Sequence, residues 1–168
     1  GKYEVIKKLG EGATATVFLG HDPFTGRDVA IKAVRASVFA DGEDGKISKK
    51  LFITEASLAG KLVHPHIVQI FDAVADADPS YIVMEYVAGG TLERFTKPES
   101  LLPVPDVVEM IFKCSRALDF AHRLGVIHRD LKPANILHAE RTDLTNSDFG
   151  PALTAPPDQT QVSGPGSP

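Results

Sequence analysis

Between Val126 and Gly150 the chain sets acidic, basic and amide side chains at close spacing. The run reads Val126-Ile127-His128-Arg129-Asp130-Leu131-Lys132-Pro133-Ala134-Asn135-Ile136-Leu137, and Asp148-Phe149-Gly150 begins 18 residues after Asp130. A carboxylate such as Asp130 can accept a hydroxyl proton, and an ammonium such as Lys132 can balance charge on a moving phosphoryl group. Asn135 and Asp148 offer the hard oxygen donors that Mg2+ prefers. The alternative is a polar loop that merely happens to be rich in charge.

Two stretches nearer the start carry related chemistry. In Gly10-Glu11-Gly12-Ala13-Thr14-Ala15-Thr16-Val17 the glycines let backbone N–H groups approach a phosphate with no side chain in the way. The same residues read as an ordinary hairpin turn, and position within a set has to decide. Their place between two predicted strands argues against a dinucleotide fold, whose glycine motif leads into a helix. In Val29-Ala30-Ile31-Lys32-Ala33-Val34 one lysine interrupts an apolar run, so its ammonium must reach water or meet an anion. Glu55 is the candidate partner: with Leu51, Leu58 and Leu62 it falls on one helical stripe, which predicts a carboxylate facing the sheet and paired with Lys32.

The elements that must position these groups follow from pattern. Short β-rich runs, Tyr3 to Leu9, Ala15 to Leu19 and Asp28 to Val34, alternate with turn-rich pieces and predict an antiparallel meander. A polar loop around residues 40–45 precedes one amphipathic helix from about Ile47 to Leu62. Ile67 to Ala73 and Tyr81 to Val87 complete a five-stranded sheet, and Ala88-Gly89-Gly90 offers a hinge between two lobes. Beyond it, Pro105 to Leu124 predicts a helix, with proline near its start, Gly125 just past its end, and Val107, Val108, Ile111, Cys114, Leu118 and Ala121 on one broad face.

Taken in order, these motifs resemble the eukaryotic-like serine/threonine protein kinases, bacterial members in particular, over Tyr3 to Ser167. The resemblance implies an α+β, bilobal kinase-like fold: a five-stranded antiparallel N-lobe sheet with one helix (1–87, hinge included) and a partial helical C-lobe (88–168). It implies transfer of the ATP γ-phosphate to serine or threonine hydroxyls of proteins, with Mg2+. Lys32, held by Glu55, would grip the nucleotide phosphates; Asp130 would orient the hydroxyl and Lys132 assist; Asn135 and Asp148 would hold the metal. Gly10, Glu11 and Gly12 would cover the phosphates, Met84 would back the adenine pocket, Glu85 to Val87 would offer hinge backbone, and Val17, Ala30 and Leu137 would sandwich the ring. Asp130-Leu131-Lys132 resembles the serine/threonine branch, and Arg129 resembles the subclass whose activation loop is ordered by a phosphate. Thr160 and Ser163 are the candidate acceptors, solvated hydroxyls being the alternative. Ala15 in place of a third glycine, Pro151 after Gly150 and the small Ala59 one turn beyond Glu55 depart from the family pattern. Rival expectations are a pseudokinase-like module that binds nucleotide or a partner without transfer, and a small-molecule phosphotransferase.

Composition narrows the classes. Eighteen Lys+Arg against 22 Asp+Glu give a net charge of −4, with no basic excess to advertise nucleic acid. The single cysteine, Cys114, excludes a disulfide framework and suits a reducing compartment, so a cytoplasmic location is expected. His64-Pro65-His66 and His128 read as structural rather than metal-binding. No stretch approaches the roughly 18 apolar residues of a membrane span. Residues 151–168 hold five prolines and few apolar side chains, and are expected to bury almost nothing. A kinase domain of roughly 250 residues exceeds the 168 here, so the chain is expected to be a fragment, weakly active or inactive alone, with sensor or regulatory domains fused outside it.

Overall fold

The computed structural model describes residues 2–39, 42–128, 131–139 and 151–154. Strands β1 (Glu4–Glu11), β2 (Ala15–Asp22) and β3 (Arg27–Val34) form an antiparallel meander. Helix α1 (Gly42–Gly60) intervenes before β4 (Ile70–Val74) and β5 (Ser80–Glu85). The sheet order is β1-β2-β3-β5-β4, so β5 inserts beside β3 and β4 becomes an edge. Helix α2 (Val104–Arg123) and a two-stranded sheet of β6 (Ile136–His138) and β7 (Pro151–Leu153) follow.

Local chemistry explains the turns. Between β2 and β3, the Asp22 carboxylate accepts the backbone N–H groups of Phe24 and Thr25 and the Thr25 hydroxyl, the last at 2.7 Å. That side chain replaces a missing backbone partner in an Asx turn, and the Thr25 hydroxyl first of all holds the Asp22 pKa below its usual value. Helix α2 starts with Pro105 in its first turn and ends in a Schellman pair, Gly125 N–H to His122 C=O and Val126 N–H to Ala121 C=O. Gly125 sits at φ +79°, which that motif requires and a side chain would oppose.

Two expectations about helices are corrected. Helix α1 begins at Gly42, inside the segment expected to be a loop, with Glu43 and Asp44 in the first turn where carboxylates oppose the helix dipole. Its buried face is Phe52, Ala56 and Ala59, not the leucine stripe: Leu51 and Leu58 are 56% and 46% exposed, and Glu55 is exposed between them. The two stripes are one residue out of step, about 100° of rotation. The small side chains let the helix approach Ile70, Ile82 and Val34, while Phe52 packs edge-on against Phe39 at 5.6 Å. Leu62, beyond the helix end, is buried in a different cluster.

Helix α2 buries Cys114, Ala117 and Ala121, whereas Val107, Val108 and Ile111 of its expected face are exposed. The C-terminal half of the helix packs with Leu62, Ile67 and Leu153. Leu153 overturns another expectation, that residues from 151 onward bury almost nothing, because it is 2% exposed. Its N–H donates to His66 C=O and its carbonyl accepts Val68 N–H, both at 2.8 Å, which ties β7 to the corner before β4.

Candidate active site

Cross-strand register assembles one face of the sheet. Val17 of β2 lies opposite Lys32 of β3, Lys32 opposite Ile82 of β5, and Ala30 opposite Met84. Directly paired residues point to the same side of a sheet, so Val17, Ala30, Lys32 and Met84 share a face. Ile82, Val34 and half-buried Met84 of that face pack with α1. Val29, Ile31 and Val83 form a separate cluster on the other side. A half-buried lysine thus stands in a row of apolar side chains at the edge of the core.

The glycine segment closes one end of this face. Gly10 pairs with Val17 and Glu11 with Thr16, so the turn is Gly12 to Thr14, held by Gly12 N–H to Ala15 C=O and Arg35 N–H to Thr14 C=O, each 2.9 Å. A side chain at Gly10 would meet nothing within 4 Å, so the open space above this strand end belongs to the turn itself. The Glu11 carboxylate is gripped by Lys8 at 2.9 Å and Arg35 at 2.7 Å. The Lys8 hydrogen bond, then the charges of Lys8 and Arg35, lower its pKa.

The pair expected between Lys32 and Glu55 is not formed. Among the described residues no ion pair joins them, and Glu55 is exposed on the outward stripe of α1. The cause is the helix rotation already described: burying Phe52, Ala56 and Ala59 turns position 55 away from the sheet.

The later motifs meet the segment that follows β5. His138 N–H donates to Gly90 C=O at 2.8 Å, and Leu137 forms a bridge with Thr91, so β6 lies against the segment that follows β5. Asn135 ends a short 3-10 turn from Pro133, with its N–H on Lys132 C=O. Its carbonyl accepts both the N–H and the hydroxyl of Thr154 at 3.1 Å. Buried His128 places Nε2 3.0 Å from Thr154 C=O. Lys132 is exposed and Asn135 half-buried. Asp130 and Asp148, with Arg129, Thr160 and Ser163, lie outside the described residues. Asn135 is therefore the one expected Mg2+ ligand whose place is described; an amide oxygen suits that ion. Sequence reasoning missed Leu153 and Thr154 as the tether of this loop. The only signal was an isolated leucine in a proline-rich stretch.

A glycine turn, a sheet face that carries a lysine and a tethered polar loop are parts that protein kinases place around their nucleotide. The family is then specific: residues 3–167 match the protein kinase domain, and the chain belongs to that family. It is 34% identical over 164 residues to serine/threonine-protein kinase PknD of Chlamydia caviae, covering 91% of this chain and 17% of that protein. It is 39% identical over 150 residues to the probable serine/threonine-protein kinase PknB of Lactococcus lactis, covering 89% of this chain and 23% of that protein. The solved PknI kinase domain of Mycobacterium tuberculosis superposes with a TM-score of 0.72 at 29% identity, over 93% of this chain and 59% of that one. The chain thus spans about a fifth of the length of the PknD and PknB relatives. Among the described residues no helix is long and apolar enough to cross a membrane.

Proposed function

We propose that this chain is the nucleotide-binding part of an ATP-dependent serine/threonine protein kinase, with residues 1–87 as the N-lobe and 88–168 as the start of the C-lobe. The observation that carries the reading is the register that gathers Val17, Ala30, Lys32 and Met84 on one face, beside a glycine turn. Val17 and Ala30 would cover one side of an adenine ring and Leu137 of β6 the other, with Met84 at its back and the backbone of Glu85 to Val87 at its edge. Lys32 would neutralise phosphate charge, and Gly10, Glu11 and Gly12 would cover it. Asn135 and Asp148 supply the hard oxygens that would hold Mg2+, whose chemistry is to neutralise phosphate charge. Asp130 would take the hydroxyl proton while Lys132 offsets charge on the group in transit. Catalysis of this kind is mainly positioning.

The partners expected are ATP and proteins presenting serine or threonine, without nucleic acid. The buried, unpaired Cys114 suits a reducing, cytoplasmic setting.

The outward Glu55 favours a second reading for this polypeptide, nucleotide binding without transfer. Calorimetric titration with Mg-ATP, followed by radiolabel transfer to a basic protein, separates the two. Binding that Lys32→Met weakens, with transfer that Asp148→Asn abolishes, is the expected result for the kinase reading. Binding with no transfer selects the second, and no binding by the folded chain refutes both.

A further inference from the structure

Gln69 sits between α1 and β4 and makes more connections than a half-buried surface residue requires. Its side-chain amide donates to Gly60 C=O at 2.9 Å and to Ile70 C=O at 3.1 Å. Its backbone N–H donates to the Glu85 carboxylate at 3.1 Å, and its carbonyl accepts Glu85 N–H at 2.8 Å. All three N–H bonds of the residue are therefore used.

Both ends of this connection matter. Gly60 is the last residue of α1, and the terminal carbonyls of a helix have no partner within it. The Gln69 amide supplies one from outside the helix, so it caps α1 and fixes that end against β4. Glu85 is the last residue of β5, where the backbone offered to adenine begins. One side chain and one backbone pair thus link the seat of the helix that carries Glu55 to the start of the hinge.

We propose that Gln69 is a positioning residue for the nucleotide site, coupling the C-terminal end of α1 to the hinge backbone through Glu85. The proposal rests on the nucleotide-binding reading above. A ligand that orders Glu85 to Val87 holds Gln69 in place and thereby steadies the end of α1. By linkage, whatever seats α1 tightens nucleotide by the same factor.

Hydrogen exchange with and without Mg-ATP tests this on the whole chain. The amides of Lys61 and Leu62 report the helix end, since they bond to Leu58 and Ala59 carbonyls at 3.2 and 3.0 Å. In the parent, nucleotide slows exchange both at residues 85–87 and at Lys61 and Leu62. Gln69→Leu removes the amide but keeps the backbone pair with Glu85. Hinge protection then persists, protection of Lys61 and Leu62 is lost, and Mg-ATP binds about two- to tenfold more weakly, the weight of one hydrogen bond. Gln69→Lys restores a donor within reach of Gly60 and restores the coupling, which a general loss of packing would not. Hinge protection in Gln69→Leu with unaltered protection of Lys61 and Leu62 overturns the proposal, as does a Gln69→Lys protein no better coupled than Gln69→Leu. Absence of hinge protection in the parent refutes the nucleotide reading itself, and the coupling with it.

Discussion

Gly20 of β2 is the position where one added methyl group has the most calculable effect. A Cβ there would lie 2.5 Å from Ile31 Cδ1, 3.1 Å from Ile31 Cγ1 and 3.0 Å from the Glu4 carbonyl oxygen. Ile31 is buried with Val29 and Val83 on the face away from Lys32. The nearest atom is the end of a side chain, but its neighbours leave it little room to turn. Gly20→Ala therefore overpacks this cluster, at a cost of about 1–3 kcal/mol. Ile31→Val alone deletes Cδ1 and leaves a small void, costing about 0.5–1.5 kcal/mol. Combined, the alanine methyl takes up the space that Cδ1 vacates, leaving the milder contacts with the retained Cγ1 at 3.1 Å and the Glu4 carbonyl at 3.0 Å. The double variant is then expected to be about 1 kcal/mol more stable than the sum of the singles, well beyond the roughly 0.3–0.5 kcal/mol scatter of independent sites. Urea unfolding followed by circular dichroism measures all four corners of the cycle. Because the perturbation enters from the far face, Mg-ATP affinity should stay within about twofold, the limit set by an undisturbed register. Additive free energies, or a Gly20→Ala protein as stable as the parent, refute the steric account.

Three further outcomes follow from the site and its supports. Lys32→Met weakens Mg-ATP binding at least about tenfold by removing the cation on the binding face, whereas Glu55→Gln, an exposed carboxylate, changes it by less than about threefold; equal losses by calorimetry would show that the two act as a pair once nucleotide is bound. The His64 pKa is held below the usual 6.5 first by burial, then by the charges of His66 and of Arg116 on α2, and its Nδ1 accepts His66 N–H at 3.0 Å, which requires that nitrogen unprotonated. The unfolded chain then binds more protons than the folded one, so stability is full above about pH 6.5 and falls as pH drops below it; melting at pH 7.5 and 5.5 should show this, and His64→Phe, which keeps a ring against Phe120, should flatten that part of the profile. The Cys114 thiol is pushed up to about 11 by burial, so alkylation at pH 8 is slow in the folded chain and accelerates in urea; rapid labelling without denaturant would contradict its burial.

The strands were readable because their signals are local. In β3 a single lysine interrupts an apolar run, and turn residues such as Asp22 to Gly26 mark the strand ends. Boundaries moved where pairing outran propensity: β4 starts at Ile70 rather than Ile67 because Ile67 and Val68 turn instead to Leu153. The shared face of Val17, Ala30, Lys32 and Met84 was legible only through resemblance, because it depends on β5 pairing with β3 across the 45 residues, 35–79, between them. Leu153 was illegible for the opposite reason. Its neighbourhood has the composition of a chain that packs poorly, yet one leucine, placed by the hydrogen bonds of its own backbone, fills the gap between α2 and Ile67.

Helix α1 shows what periodicity cannot decide. Its sequence holds two stripes, Leu51-Glu55-Leu58 and Phe52-Ala56-Ala59, and the first carries more apolar surface if its carboxylate finds a cation. Burying that stripe would desolvate Glu55 and make its stability depend on Lys32 alone. Burying the second costs no charge, and its two alanines allow an approach close enough for Gly60 to reach the Gln69 amide. The choice therefore rests on tertiary contacts that a single helix cannot reveal. The same choice turns the Glu55 carboxylate away from Lys32, so on the proposed reading charge on a bound phosphate would supply what Glu55 does not.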